Sequence, residues 1–322
     1  MLIVRFDFRL GPQSDASTAE LYAAALDMAG WAEANGAASV LFSQHHRSPD
    51  GYLPSPIVAA AAAAARTSTV PINVGALLLL LYDPVKLAED MNVLDHLSRG
   101  RVSYTVGLGY RDAEYAMFGI DPSRRAAEMD ERLDVLRRAL TGEAFRWRGR
   151  SVQVTPGPFT EGGPPLAYGG GTKAAARRAA RNGLAFVPQA ADADLAAAYD
   201  EEAGRVGGQP GLTLAPPSGA PLTVFVADDP DEAWARLGPH LLHDARSYGD
   251  WMRAAGATSA TASTATTVED LRAEQGAYRI VTPAGARALL DDFGVLALQP
   301  LSGGVPPDEA WRSLELIESE VL

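Results

Sequence analysis

The sequence predicts an α/β protein built as a (β/α)8 TIM barrel, on three observations. Short apolar runs alternate with helical stretches along the whole chain. Eight such runs are counted, and the chain closes on a helix. Runs such as "GALLLLL" have no polar face, as parallel strands covered on both sides require. A doubly wound open sheet explains the alternation equally well, but the count of eight and the closing helix favour the barrel. At 322 residues the length suits one such barrel, so residues 1–322 are expected to form a single domain.

The elements follow in order. "LIVRFDF" (2–8) is the first strand, and residues 18–35 form a helix with Leu21, Ala25, Met28 and Ala32 on one stripe, stopped by Gly36. "ASVLFSQ" (38–44) is the second strand, and Pro56 opens the alanine-rich second helix. "INVGALLLLL" (72–81) is the third strand, with a helix over 84–98 after it, and "RVSYTVGLG" (101–109) is the fourth. A helix over 123–142 and a hairpin excursion over 145–154 precede the fifth strand, "PPLAYGG" (164–170). The helix over 172–183, the strand "LAFVPQ" (184–189) and the helix over 193–207 complete the sixth repeat. "PLTVFVA" (221–227) is the seventh strand, followed by helix from about Asp231, and "VLALQPL" (295–301) is the eighth, followed by the closing helix over 307–322. Residues 244–282 are too long for a plain connection and rich in Ser, Thr and Ala, so an insertion between strands seven and eight is expected, either a lid over the barrel mouth or a surface loop.

Composition narrows the chemistry. There is no cysteine, which excludes disulfides, thiolate catalysis and thiolate metal sites. The balance of 40 acidic to 28 basic residues gives a net charge of −12, which repels phosphate backbones and argues against nucleic acid as a partner. The first residues carry Arg5 and Asp7 and resemble a strand rather than a signal peptide, and the longest apolar runs are too short to span a bilayer. The expectation is a cytoplasmic protein with no membrane partner.

Barrel active sites lie at the C-terminal strand ends. That rule selects Asp7 and Arg9 after strand one, Gln44, His45 and His46 after strand two, and Tyr82 and Asp83 near the end of strand three. It also selects "GLGYRDAEY" after strand four, "YGGGT" after strand five, and Pro188 with Gln189 after strand six. In "YGGGTKAAARRAA", glycines let a ligand approach the backbone, and the helix opening at Thr172 offers free N–H groups to a phosphate. A plain glycine turn with an N-cap threonine explains the same residues. His45 and His46 are adjacent, so on a strand they point to opposite faces and do not share one metal. No metal site is expected. A neutral histidine at the mouth is a good proton carrier, and the competing reading makes both histidines structural.

Taken together, residues 42–119 resemble the bacterial luciferase-like monooxygenase family. The resemblance rests on the histidine pair, Asp83-Pro84, Ala88-Glu89, Leu94-Asp95, Leu97-Ser98, Gly100-Arg101, Gly107-Leu108-Gly109, and the tail of Glu114, Tyr115, Phe118 and Gly119, and it extends to "YGGGTKAAARRAARNG". It implies a flavoprotein oxidoreductase. Members use reduced FMN, supplied as a diffusible cofactor by a separate flavin reductase, to activate O2 and monooxygenate a small organic substrate. Others use the deazaflavin coenzyme F420 and transfer hydride without O2. The family pattern implies His45 as the catalytic histidine at the flavin's reactive edge and His46 as scaffold. It implies Ala76, Leu77 and Leu78 under the flavin ring, with a non-proline cis peptide nearby, and Gly170, Gly171 and Thr172 at the phosphate. Two positions depart from it. Gln44 stands where the family has an acid, and Leu108 where some members place a phosphate-binding arginine, leaving Arg111 as the nearest substitute. Gln44 cannot carry charge, which keeps open a non-catalytic flavin-binding protein. The alanine run Ala59 to Ala65 lies where the family forms a homodimer, and packing on the barrel sheet explains it equally.

Overall fold

The computed structural model describes residues 1–208 and 211–322. In chain order the elements begin β1 (Leu2–Phe6), α1 (Thr18–Ala34), β2 (Ser39–Phe42), α2 (Pro56–Arg66), β3 (Ile72–Leu78), α3 (Pro84–Ser98), β4 (Val102–Gly107), α4 (Asp112–Phe118) and α5 (Arg125–Leu140). There follow β5 (Phe145–Trp147), β6 (Arg150–Val152), β7 (Leu166–Gly169), α6 (Lys173–Arg181), β8 (Ala185–Val187) and α7 (Ala193–Arg205). The last are β9 (Thr223–Val226), α8 (Pro230–Ala255), α9 (Val268–Ala273), β10 (Tyr278–Val281), α10 (Pro283–Phe293), β11 (Leu296–Leu298) and α11 (Pro307–Glu320). The chain divides into two compact units, Met1–Pro54 with Pro216–Leu322, and Ser55–Ala215.

In the first unit, β1 lies between β11 and β2, all parallel, with Val4 opposite Leu298 and Phe6 opposite Phe42. The register brings the C-terminal ends of the three strands into line. Helix α1 starts on a capping box in which Ser17 and Glu20 satisfy each other's backbone N–H groups, and it buries Leu21, Ala25, Met28 and Ala32, the stripe its periodicity predicts. Strands β9 and β10 form a parallel pair, Thr223 opposite Tyr278 through Val226 opposite Val281.

The second unit holds the parallel strands β3, β4, β7 and β8, with the antiparallel hairpin β5–β6 beside them. Leu78 pairs with Gly107 and Gly107 with Gly169, so these strand ends are also aligned. Much of the motif that carried the family resemblance is scaffold here. The Arg101 guanidinium donates to the carbonyls of Ala64, Thr67, Val70 and Ser98 and to the Thr67 hydroxyl, capping the ends of α2 and α3. Asp95 is fully buried and accepts from the backbone N–H of Thr160 at 2.7 Å and its hydroxyl at 2.9 Å, tying the loop after β6 to α3.

Strands one, four and six end two residues earlier than the sequence reading, at Phe6, Gly107 and Val187, and three further boundaries change the picture of the site. Strand two ends at Phe42, so Gln44, His45 and His46 lie on irregular chain beyond it. Strand alternation therefore does not govern the histidine pair. Strand three ends at Leu78, and Leu79–Leu81 form a 3-10 turn whose following backbone is fixed by the Arg132 guanidinium on the Leu80 and Tyr82 carbonyls. A run of leucines carries no period, so it cannot mark where a strand becomes a turn. Between β9 and β11, helix α8 continues through Ala255, and only about residues 256–267 are irregular before α9 and the additional strand β10.

Candidate active site

In the first unit, polar and aromatic side chains gather at the aligned strand ends. Asp7 and Arg9 follow β1, Gln44 to Tyr52 follow β2, Gln299 follows β11, and α8 adds Asp244, Tyr248 and Trp251 at helical spacing i, i+4, i+7. Arg9 is wholly buried. Its guanidinium carbon lies 4.8, 4.7 and 4.4 Å from the ring centres of Tyr52, Tyr248 and Trp251. Asp244, Asp50 and Asp7 surround it at 3.3, 3.4 and 3.7 Å. Burial opposes its charge, but Asp244 above all holds the proton on and pushes its pKa up.

The carboxylates split by environment. Asp7 is pushed up to about 7, by burial first and the Asp244 charge second, against the pull of Arg9 and Arg5. Its Oδ2 accepts from Gln299 at 2.7 Å. For Asp50 burial is again the largest influence and raises it, but a 2.9 Å hydrogen bond with His243, the Arg9 charge and the Ser48 hydroxyl together outweigh burial and hold it at about 2.

His45 is buried against this group. Its ring centre is 4.9 Å from Tyr52 in an edge-on arrangement, 4.7 Å from Trp251 and 6.3 Å from Tyr248, whose hydroxyl meets that of Tyr52 at 2.8 Å. His46, also buried, lies 2.6 Å through Nε2 from the Gln44 side-chain nitrogen, which also donates to the Pro54 carbonyl at 3.3 Å. A carbonyl only accepts, so the Gln44 atom is the NH2 and the His46 Nε2 facing it is the acceptor of a neutral ring. The amide that departs from the family's acid thus engages His46.

In the second unit the expected residues share one end of the sheet. A cis peptide joins Gly75 to Ala76, with an irregularity in the β3–β4 pairing at the same place, and Leu77 and Leu78 complete the strand. The Leu108 carbonyl accepts from the Tyr115 hydroxyl at 3.1 Å, and Arg111 is paired at 3.1 Å with the buried Glu114, so its charge is already balanced. The Gly170 N–H is spent on the Val187 carbonyl, and a Cβ there would come within 2.6 Å of the Ala175 Cβ. At Gly171 a Cβ would meet the Gln189 side-chain oxygen at 2.6 Å. Thr172 caps α6 by accepting from the Ala175 N–H at 3.2 Å. Close packing thus explains both glycines without a ligand, while the Thr172 O–H remains a donor in kind.

Sequence reasoning missed Asp50, Tyr52, Asp244, Tyr248 and Trp251. For the last three the signal was the i, i+4, i+7 helical stripe 244–248–251, hidden because this stretch reads as the start of an insertion. Among the described residues no group of three or more His, Asp or Glu is placed to hold a metal, and no helix is long and apolar enough to cross a membrane.

The family described as luciferase-like monooxygenase matches residues 3–295. The chain belongs to the luciferase-like monooxygenase family. Three solved structures share its fold over almost the full length. Monooxygenase RslO1 from Streptomyces bottropensis is 24% identical with a TM-score of 0.74, covering 100% of this chain and 98% of that one. The oxygenating constituent of 3,6-diketocamphane monooxygenase from Pseudomonas putida, in complex with FMN, is 21% identical with a TM-score of 0.69 and covers 98% of each chain. An F420-dependent secondary alcohol dehydrogenase is 16% identical with a TM-score of 0.68, covering 100% and 99%. The fold is thus the TIM barrel that the strand count predicts. The chain spans half or less of the first curated relatives it matches. One is limonene 1,2-monooxygenase of Rhodococcus erythropolis, 36% identical over 108 residues, which is 34% of this chain and 28% of that protein.

Proposed function

We propose that this luciferase-like enzyme is a flavin-dependent monooxygenase that uses reduced FMN and O2 to oxidise a small organic substrate. The observation that carries the reading is His45, a buried imidazole in contact with three aromatic rings at the C-terminal ends of parallel strands, where barrel enzymes do their chemistry. His45 is the proton carrier, and His46, engaged by Gln44, is scaffold. The second unit suits FMN. Ala76, Leu77 and Leu78 at the end of β3 would bed the flavin ring, and the Thr172 O–H at the start of α6 would meet the phosphate beside Gly170 and Gly171. FMN, once bound in reduced form, supplies the O2 chemistry; the protein binds, orients and excludes water. Leu108 and the paired Arg111 add no free cation for the phosphate, which suits a diffusible cofactor delivered by a reductase in the cytoplasm.

The deciding experiment mixes purified protein with reduced FMN and follows binding without air, then O2 consumption and product once air is admitted. Hydride transfer from reduced F420, with no use of O2, would replace the monooxygenase by the F420-dependent reading. Binding of FMN without turnover of any substrate would favour the non-catalytic flavin-binding protein, which Gln44 supports. Thr172→Ala is expected to weaken reduced-FMN affinity about tenfold, the low end for a hydrogen bond to a charged group. The same change removes the α6 cap, at about 1 kcal/mol of stability, and Thr172→Ser restores both. Isothermal titration beside a urea melt separates the two effects.

We also propose a homodimer through the outer face of α2 and α3. Val58 is 70% exposed, Leu97 62% and Val93 46%, an apolar strip beside the exposed Ala62 and Ala65. Sedimentation of Leu97→Asp is expected to show monomer where the unmodified chain shows dimer.

A further inference from the structure

We propose that Arg9 is a positioning residue for His45, acting through the three aromatic rings that both side chains touch. This rests on the reading of His45 as proton carrier. Tyr52, Tyr248 and Trp251 each lie within 5 Å of the Arg9 guanidinium carbon, at 4.8, 4.7 and 4.4 Å. The same rings stand 4.9, 6.3 and 4.7 Å from the His45 imidazole. A desolvated guanidinium attracts ring faces, so a fixed cation gathers rings that come from two different segments, the loop after β2 and helix α8. The Tyr52–Tyr248 hydroxyl bond closes the group on one side.

The chemistry of Arg9 suits this use and little else. Its Nε, Nη1 and Nη2 atoms are buried and make no hydrogen bond, and the three carboxylates sit at ion-pair rather than hydrogen-bond distance. The carboxylates keep the cation in place without drawing it out of the rings. The rings in turn meet the His45 imidazole at fixed angles, 81° to Tyr52 and 57° to Trp251. The imidazole is therefore oriented before any substrate arrives. A displaced proton carrier costs about 10²-fold in rate per ångström of misplacement, so losing the cation reads out in kcat rather than KM.

The test reads His45 directly, without flavin. In nuclear magnetic resonance spectra of the chain with labelled histidine, the His45 ring protons are expected far from random-coil positions because of the neighbouring rings. Arg9→Met should move them most of the way back and broaden them, leaving the His46 signals in place, while Arg9→Lys, which keeps a cation, should retain most of the shift. Arg9→Gln, polar and neutral, should behave like Arg9→Met. Unmoved His45 signals in folded Arg9→Met or Arg9→Gln overturn the proposal. In the unmodified chain, cross-relaxation from the His45 ring to both Tyr52 and Trp251 is required, and a freely rotating imidazole overturns the proposal even if no neutral variant folds. Failure of flavin binding leaves these signals intact, so the two readings fail separately. Where FMN turnover is found, Arg9→Met should lower kcat about 10²-fold at unchanged KM, with partial rescue in Arg9→Lys.

Discussion

Replacing His45 by alanine is expected to lower turnover by about 10²- to 10⁴-fold, the usual contribution of a positioned proton carrier. His46→Ala should cost far less. The two residues are neighbours in sequence and both are buried, so burial alone does not separate them. Their surroundings do. His45 packs edge-on to Tyr52 and against Trp251 among the aromatic rings at the strand ends, whereas His46 receives the Gln44 amide on Nε2. A ring nitrogen that accepts a buried hydrogen bond gives up that bond to take a proton, so His46 is the poorer carrier. The assay is kcat with reduced FMN supplied in excess, beside a thermal melt to show that each variant is folded. Equal losses in the two variants would defeat the assignment. Gln44→Glu adds a second reading: a carboxylate there accepts from His46 rather than donating, which turns the His46 tautomer without touching His45.

The fold was largely legible because its signals are periodic. The α1 stripe, the proline that opens α2, the capping Asp83-Pro84 pair at α3 and the hairpin over residues 145–154 each state their element in local chemistry. The leucine run after Gly75 was not legible, since no period marks the change from strand to turn. The candidate site was half legible. The rule of strand ends leads to Asp7, Arg9 and His45, and to the glycine turn before α6. It does not lead to Asp244, Tyr248 and Trp251, which reach the same place from a helix, well beyond the end of β9 at Val226. Their stripe is visible in sequence only to a reader who already knows that α8 runs unbroken past its internal Pro239. Nor does sequence reveal that Gln44 engages His46 and that Glu114 already balances Arg111, because both depend on which side chains meet.

Asp244→Ala is expected to cost about 3–5 kcal/mol of stability, the usual result of removing one member of a buried ion group. Asp244 is completely buried, stands 3.3 Å from Arg9, and accepts from the Tyr278 hydroxyl at 2.8 Å. Its loss leaves the guanidinium less compensated and strips the phenol of its better acceptor. Asp244→Asn keeps an oxygen for Tyr278 and loses only the charge, so it should cost less and change the pH dependence instead. Asp7 has its pKa raised from 3.8 to about 7 by burial and by Asp244. A carboxyl raised on folding gives stability that is present below 3.8 and is lost as pH climbs through about 7, because the folded chain then holds a proton that the unfolded chain has released. Removing the Asp244 charge removes one of the two causes, so Asp7 titrates lower and the loss between about pH 4 and about pH 7 shrinks. Asp50 acts in the opposite sense and in a different window. Held at about 2, it gives stability present above 3.8 and lost as pH falls toward 2. Urea midpoints of the unmodified chain and Asp244→Asn, taken across the acid-to-neutral range, check both. A slope between pH 4 and 7 that is identical in the two proteins would mean that Asp7 does not feel the Asp244 charge, and the buried cluster would then have to be held together by its rings and hydrogen bonds rather than by its charges.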